Sequence, residues 1–474
     1  MRPERTYLLL SVLLLVHLAF FLVARLDLPE QLSDSQEYLN ASRNIWTRGV
    51  LYCGQPDQPI RDVLYTRRPP FYPLLIGIAL PAPSGVPVYL LQVLISLLSI
   101  LLVIRIFAVE TPPKKHFYPL LLIFLLATPA QFIYASRIMA EIPFQLILVS
   151  TAWSVYRFST TRDSIYIWLF NLFLTLGMAT KPVLFPLVIL TIPISVFLFF
   201  RLRKKALLTA LLIPLLWTGF YSFRNYLRTG SAQYSSIQTA NLVNYNLRYF
   251  LMSSRGSEDA AKTVDSLYAA CLPEPAGTRN SLHPAGVPEA GEKIGSHNAA
   301  SSPGAAYRQM NRCLSNGARE IILDRPVRYA LFHLKGSIRY FLDPGRFDIV
   351  SFFGIAEPGS TGFLRALNRD GFRGALRVLE QQGWWLIIAL GLIALFKVLK
   401  LTGFLIFLCR KQENPWLRIF LLVLVGYLAL VTGPLGASRF LLPIEPLLIG
   451  AAVRGWMPAI SGISRIHTFK SNFR

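Results

Sequence analysis

Cysteine, histidine and acidic residues are all in short supply in this chain of 474 residues. Its four cysteines, Cys53, Cys271, Cys313 and Cys409, lack the close spacing of a zinc or redox site, which excludes a metal framework built on thiolates. Cys271 and Cys313 fall in one expected external loop, where they either pair in an oxidising compartment or stay as two thiols. The six histidines are scattered. Asp and Glu number 25 against 48 Lys and Arg, a net charge of +23. In a soluble protein that excess would suggest nucleic acid. Here the basic residues sit in short clusters at the ends of apolar runs, as topology determinants do, with no separate basic face carrying stacking aromatics. Nucleic-acid binding is therefore not expected.

Apolar surface is what the chain has in excess, with 53% hydrophobic residues and a mean hydropathy of +0.45. Apolar runs of about 17 to 25 residues recur, the length at which a helix crosses roughly 30 Å of hydrocarbon. The opening MRPER is followed by an apolar stretch from Thr6 to Ala24 with no small-x-small cleavage site after it. It reads as an uncleaved first span with the N-terminus inside. Further spans at 86 to 108, 117 to 134, 142 to 157, 164 to 180, 183 to 200, 206 to 223, 384 to 408, 417 to 433 and 440 to 457 predict an all-α polytopic membrane protein with about ten transmembrane helices. Alternation then puts Lys114, Lys115, Arg157, Arg162, the run R-L-R-K-K at 201 to 205, Arg410, Lys411 and the C-terminal tail in the cytoplasm, as the positive-inside rule requires. Lys397 and Lys400 interrupt the eighth span, which is either tilted or continued by an interfacial piece.

Three parts follow from this pattern. Residues 1–223 form a transmembrane module with a first external loop at 25–85, residues 224–383 a large external loop, and residues 384–474 the last helices and a cytoplasmic tail. Within the large loop, 272–306 is rich in Pro, Gly, Ala and Ser and is expected to be flexible. Helical patterning returns from Tyr307 to Leu342, broken at Pro326. No internal repeat of solenoid length is present.

The first external loop holds the most informative residues. In S-D-S-Q-E-Y-L-N-A-S-R-N-I-W-T-R-G, Ser33 and Gln36 have capping-box spacing and Gly49 is a stop, while Tyr38, Ala41 and Ile45 share one face. A short amphipathic helix along the membrane surface is expected, with Asp34 in its first turn. Asp34 is either a plain helix-start residue favoured by the dipole or a functional acid at head-group depth, with Glu37 one turn on. The Asn40-Ala41-Ser42 sequon lies inside this helix and is accidental. Further along, Arg67 and Arg68 precede a double proline and an apolar stretch too short to span, a second interfacial segment. Their planar forks suit a phosphate, with ordinary anionic-lipid contact as the alternative. Arg137, Lys181 and Arg439 are the basic residues of the short external turns, against the charge rule, and are either substrate groups or snorkelling side chains. Glu141 sits where an unpaired carboxylate is costly. It either pairs with Arg137, four residues earlier, or serves the acceptor or Asp34.

The D-S-Q-E-Y helix after the first span, R-R-P-P-F-Y-P, R-I-M-A-E-I-P at 137–143 and S-R-F-L-L-P-I-E-P at 438–446, in this order and on one side of the membrane, resemble the GT-C glycosyltransferases. The resemblance is to the bacterial branch related to protein O-mannosyltransferases and the lipid A aminoarabinose transferase, and covers residues 1–250 and the last two spans. It implies an inner-membrane hexosyl- or pentosyltransferase, facing the exterior, that moves a sugar from a polyprenyl-phosphate donor to a lipid, glycan or protein acceptor. The family's catalytic acid falls on Asp34 and its second acid on Glu141. The carrier phosphate falls to Arg68 with Arg67 adjacent, and Arg439 is similar to the basic residue of a late R-F/Y-x-x-P pattern. Glu37, Tyr38, Arg137 and Lys181 complete the expected substrate contacts.

The implied reaction is an inverting transfer in which Asp34 takes the acceptor's hydroxyl proton. The leaving lipid phosphate needs positive charge instead of an acid. No resident cofactor is expected, and two carboxylates are a thin basis for a divalent metal at Asp34 and Glu141. A cytoplasmic sugar-nucleotide donor is disfavoured because no nucleotide-binding glycine loop occurs. The chain has fewer spans than the best-known members, and its external region matches no recognised domain, which leaves the acceptor open. A lipid-linked saccharide transporter or flippase is the competing class. It calls for mid-span polar residues and paired broken helices, whereas the charges here gather at one face. An oligosaccharide ligase or polymerase would rest its chemistry on the later loop.

Overall fold

The computed structural model describes residues 3–26, 33–79, 85–108, 116–272, 304–355, 373 and 384–471, and no strand occurs among them. Its first half comprises α1 (Pro3–Leu26), α2 (Ser33–Arg48), α3 (Phe71–Gly77), α4 (Val86–Phe107), α5 (Phe117–Leu126), α6 (Pro129–Ala135), α7 (Glu141–Thr161), α8 (Ile165–Thr180), α9 (Phe185–Leu202), α10 (Ala206–Thr209) and α11 (Leu212–Thr229). There follow α12 (Ile237–Asn241), α13 (Arg248–Arg255), α14 (Ser257–Cys271), α15 (Ala305–Leu323), α16 (Pro326–Leu342) and α17 (Arg346–Phe352). The chain closes with α18 (Trp384–Cys409), α19 (Pro415–Thr432), α20 (Ser438–Leu441) and α21 (Glu445–Ser471).

All ten expected spans are helical, though not all are long and apolar enough to cross a membrane by length and composition alone. Among the described residues seven segments are long and apolar enough: Glu4–Arg25, Val86–Phe107, Pro182–Leu202, Ala206–Thr229, Trp384–Cys409, Pro415–Thr432 and Ser438–Ile460. The pair α5 and α6, bent by 64° at Pro129, makes an eighth if it is one span. Helix α8 has only 16 residues. Helix α7 is long enough, but it buries Glu141, Gln145, Ser150, Thr151 and Ser154 inside the bundle. Such a helix needs no apolar surface for lipid, so its hydropathy falls short.

Close packing joins the last helices to the bundle. Gly403 of α18 and Gly455 of α21 let the two backbones approach so nearly that a Cβ on Gly455 would strike the Gly403 carbonyl. The two lysines of α18 do not break it, and it runs as one helix of 26 residues. Lys400 is buried against Glu445 of α21 and donates to Thr128 Oγ1 at 3.0 Å, while Lys397 lies 3.9 Å from Glu445. The expectation that charges gather only at one face is thereby corrected. A carboxylate between two ammonium groups makes burial at mid-span tolerable.

One boundary also moves. Helix α11 runs to Thr229, six residues past the expected end at 223, and stops at Gly230, whose φ is +65°. Its polar end stays helical because Arg224 donates to the carbonyls of Leu51 at 2.8 Å and Tyr65 at 2.7 Å. In the large loop, α12 to α14 were not expected. A π-helical turn at Leu242–Leu247 joins α12 to α13, and its Val243 and Leu247 pack with Val264 of α14 against Leu314 and Ala318 of α15. A disulfide between Cys271 and Cys313 ties α14 to α15, which settles the open choice between a pair and two thiols. Most of the expected flexible stretch at 272–306 lies outside the described residues, as do Lys114 and Lys115.

Candidate active site

Helix α2 forms where expected, and Gly49, with a φ of +68°, closes it. The side chain of Ser33, the proposed cap, lies outside the described residues. Asp34 and Glu37, three residues apart, project from the same side of its first turns. The segment before Pro69 and Pro70 brings Arg67 and Arg68 to them. Arg68 is 7% exposed and bridges both acids, Nη2 to Asp34 Oδ1 at 2.5 Å and Nε to Glu37 Oε2 at 2.6 Å. Arg67 Nε donates to Glu37 Oε1 at 3.2 Å. The Arg68 guanidinium also lies 4.9 Å from the ring centre of Tyr38.

This arrangement is braced from beneath. Tyr38 meets Tyr72 of α3 edge-on at 4.8 Å. Tyr72 donates to Gln92 of α4 at 2.7 Å, and Gln92 Nε2 donates to the carbonyls of Ala135 and Arg137 at 3.1 and 2.8 Å. A buried side-chain amide thus holds the turn between α6 and α7 against the segment carrying Arg68. That turn delivers Glu141, 1% exposed. Glu141 Oε1 accepts from Lys181 Nζ at 2.8 Å and lies 3.8 Å from Arg439 Nε, while Oε2 has no hydrogen-bond partner among the described residues. Arg439 in turn donates from Nη2 to Asp34 Oδ2 at 2.9 Å.

Asp34, Glu37, Tyr38, Arg67, Arg68, Glu141, Lys181 and Arg439 therefore share one cluster, assembled from α2, the R-R-P-P segment, the start of α7, the end of α8 and the last short turn. Three carboxylates face four cations, so one positive charge is left over. Burial opposes ionisation of Asp34, but Arg68 and Arg439 outweigh it and hold the carboxyl well below the usual range. Burial pushes the Lys181 ammonium below its ordinary value, with Glu141 opposing. A cation shared by Asp34 and Glu141 would have to replace Arg439, which already lies between them.

Arg137 stands apart. The alternative in which it pairs with Glu141 does not hold, because the chain leaves the helix between Ala135 and Glu141 and the two side chains never share a face. Arg137 instead donates to Ser351 Oγ at 3.0 Å and covers the Phe352 ring at 5.6 Å. Sequence reasoning missed the groups that hold Arg439 in place. Asp348 of α17 accepts from Tyr134 Oη at 2.7 Å and from Ser438 Oγ at 2.6 Å, and Asp343 accepts from the Ser438 amide at 2.7 Å. No local signal marks these acids, since their partners stand some 90 to 210 residues away in sequence. Their only hint was an acid in an otherwise unexplained loop.

Fold and cluster together define a polytopic helical membrane protein with a buried ion-pair site at one end of its bundle. No protein-family model matches the sequence, and no curated protein matches it. Among solved structures, the chain is similar to ArnT from Cupriavidus metallidurans bound to undecaprenyl phosphate, with 14% identity and a TM-score of 0.39 over 96% of this chain and 78% of that one. It is similar to the apo state of the same protein with 13% identity and a TM-score of 0.34, over 95% and 76% of the two chains.

Proposed function

We propose that this protein is an inverting membrane glycosyltransferase of the GT-C type, taking a sugar from a polyprenyl-phosphate carrier at the non-cytoplasmic face. The reading is supported above all by one observation: Asp34 lies between Arg68 and Arg439 in a cluster with one positive charge to spare. A phosphodiester-linked sugar carries a single negative charge and would balance it. Asp34 accepts the proton of the acceptor hydroxyl as that oxygen attacks the anomeric carbon. The bond from that carbon to the phosphate oxygen breaks with its electron pair on the phosphate, and Arg68 and Arg67 stabilise the charge that develops. At rest the two arginines keep Asp34 a weak base. A phosphate that draws Arg68 toward itself loosens that hold, so basicity rises only when the donor is seated. Glu141 positions Arg439 and Lys181 around the acceptor.

A second reading, a transporter of lipid-linked saccharides, draws on the buried Lys400, Glu445 and Thr128 group at the bend between α5 and α6. It ranks behind the first because these charges satisfy one another and only one bent pair occurs among the described residues. Proteoliposomes loaded with a labelled polyprenyl-phosphate sugar separate the two. Label on an acceptor with free carrier phosphate is the expected result. Label that crosses the bilayer still on its carrier, with no transfer, overturns the enzyme reading.

A further inference from the structure

Helix α16 turns an apolar face away from the protein. Val327, Leu331, Leu334, Ile338 and Leu342 recur at intervals of three and four and are 41% to 73% exposed, so they form one stripe. Arg328, Lys335 and Arg339 run along one edge of it. The opposite face is occupied. Gly336 rests on the Gly433 carbonyl where a Cβ would collide, His333 Nε2 meets the Leu430 carbonyl at 2.6 Å, and Tyr340 donates to the Phe440 carbonyl at 3.2 Å. These contacts pin α16 across the last turns of α19, a span whose Ile419, Leu422, Leu430 and Val431 are themselves exposed.

A helix bordering water shows the reverse pattern, polar outward and apolar inward. An apolar outer face edged with arginine and lysine suits the boundary between acyl chains and head groups. We propose that α16 is a membrane-embedded interfacial helix, its stripe covered by the acyl chains of the bilayer and its basic edge resting on anionic head groups. Lipid is the occupant because the stripe continues the exposed apolar surface of α19 and because the basic edge is complementary to anionic lipid. The helix also braces Phe440, the neighbour of Arg439, so the bilayer fixes the depth at which the charged cluster sits. None of this depends on the transfer chemistry.

The test uses the full chain with Cys409→Ser, since Cys53 is buried and the other two cysteines are bonded. Spin labels go on Leu331→Cys, Ile338→Cys and, as a reference on α14, Lys262→Cys, in vesicles of phosphatidylethanolamine and phosphatidylglycerol. The first two labels should be relaxed by dissolved oxygen and shielded from a water-soluble nickel chelate, the reverse of the third. Equal access of nickel to all three overturns the proposal, as does spin coupling between copies at Leu331, which would mean that a second copy covers the stripe. Reversing Arg328 and Lys335 to Glu should weaken the shielding in anionic vesicles and spare it in purely zwitterionic ones. Identical shielding in both would remove the head-group contact.

Discussion

Replacing Arg68 by methionine removes the one side chain that touches both acids of α2, and the structure sets the size of the effect. Arg68 makes two charge-assisted bonds, each worth about 1.5–3 kcal/mol. Breaking a fully buried pair costs about 3–5 kcal/mol. Here Asp34 and Glu37 are 23% and 20% exposed, and each keeps another arginine, Arg439 and Arg67. The expected loss is therefore about 2–4 kcal/mol. Arg68→Lys should fall between, since one ammonium cannot reach both carboxylates as the fork does. Unfolding in mixed micelles, followed by tryptophan fluorescence, reads these values. The decisive companion is the triple variant Glu37→Gln, Arg67→Met, Arg68→Met, which removes Glu37 together with both of its cations and leaves Asp34 on Arg439. It should recover to within about 1–2 kcal/mol of the parent, because an unpaired charge costs more than an absent pair. A triple variant as unstable as Arg68→Met alone, or an Arg68→Met protein within about 0.5 kcal/mol of the parent, refutes the reasoning.

Other outcomes follow from the same geometry. Burial pushes the Cys53 thiol up to about 12, whereas Cys409 is exposed, so iodoacetamide at mildly alkaline pH should label Cys409 alone in the folded protein; mass spectrometry finding Cys53 modified at the same rate would contradict this. Changing both Cys271 and Cys313 to Ser opens a loop with a sequence separation of 42 and should cost about 4 kcal/mol in the helices between α11 and α16, seen as faster proteolysis of α14 and α15. Lys400→Met, which leaves Glu445 only the longer contact to Lys397, should destabilise by up to about 3–5 kcal/mol, while Lys397→Met, at 3.9 Å from the same carboxylate, should cost far less. Equal losses in the two would mean that Glu445 does not discriminate between them.

Hydropathy located all ten helical segments because lipid-facing helices must be apolar along their length, and the α2 boundaries were legible from Gly49 and the first-turn acid. Helix α7 departs from that pattern in composition, since it is shielded by its neighbours and buries polar side chains. Asp34, Glu37, Arg67 and Arg68 were singled out because one loop carries them, but the sequence set the arginines against a phosphate and did not show that they pair with the two acids. Lys181 and Arg439 stood out as cations against the charge rule, but nothing local indicated that they would divide Glu141 and Asp34 between them. Arg137 shows the limit of a spacing argument: four residues imply one face only while the helix continues, and between Ala135 and Glu141 it does not. Asp348 and Gln92 were invisible because their partners come from distant helices.

The transfer rate of Asp34→Asn against that of the parent, measured across pH with a labelled polyprenyl-phosphate sugar, bears most directly on the central claim. With its folded-state pKa depressed, Asp34 keeps its charge above its unfolded value of about 4 and loses it only as pH falls through the folded value. The parent should therefore show no acid limb from this group between about pH 5 and 8. Asparagine keeps the shape of the side chain and cannot take the proton, so the rate should drop by about 10²–10⁴-fold at every pH in that range. Undiminished transfer by Asp34→Asn would contradict the assignment of Asp34 as the base.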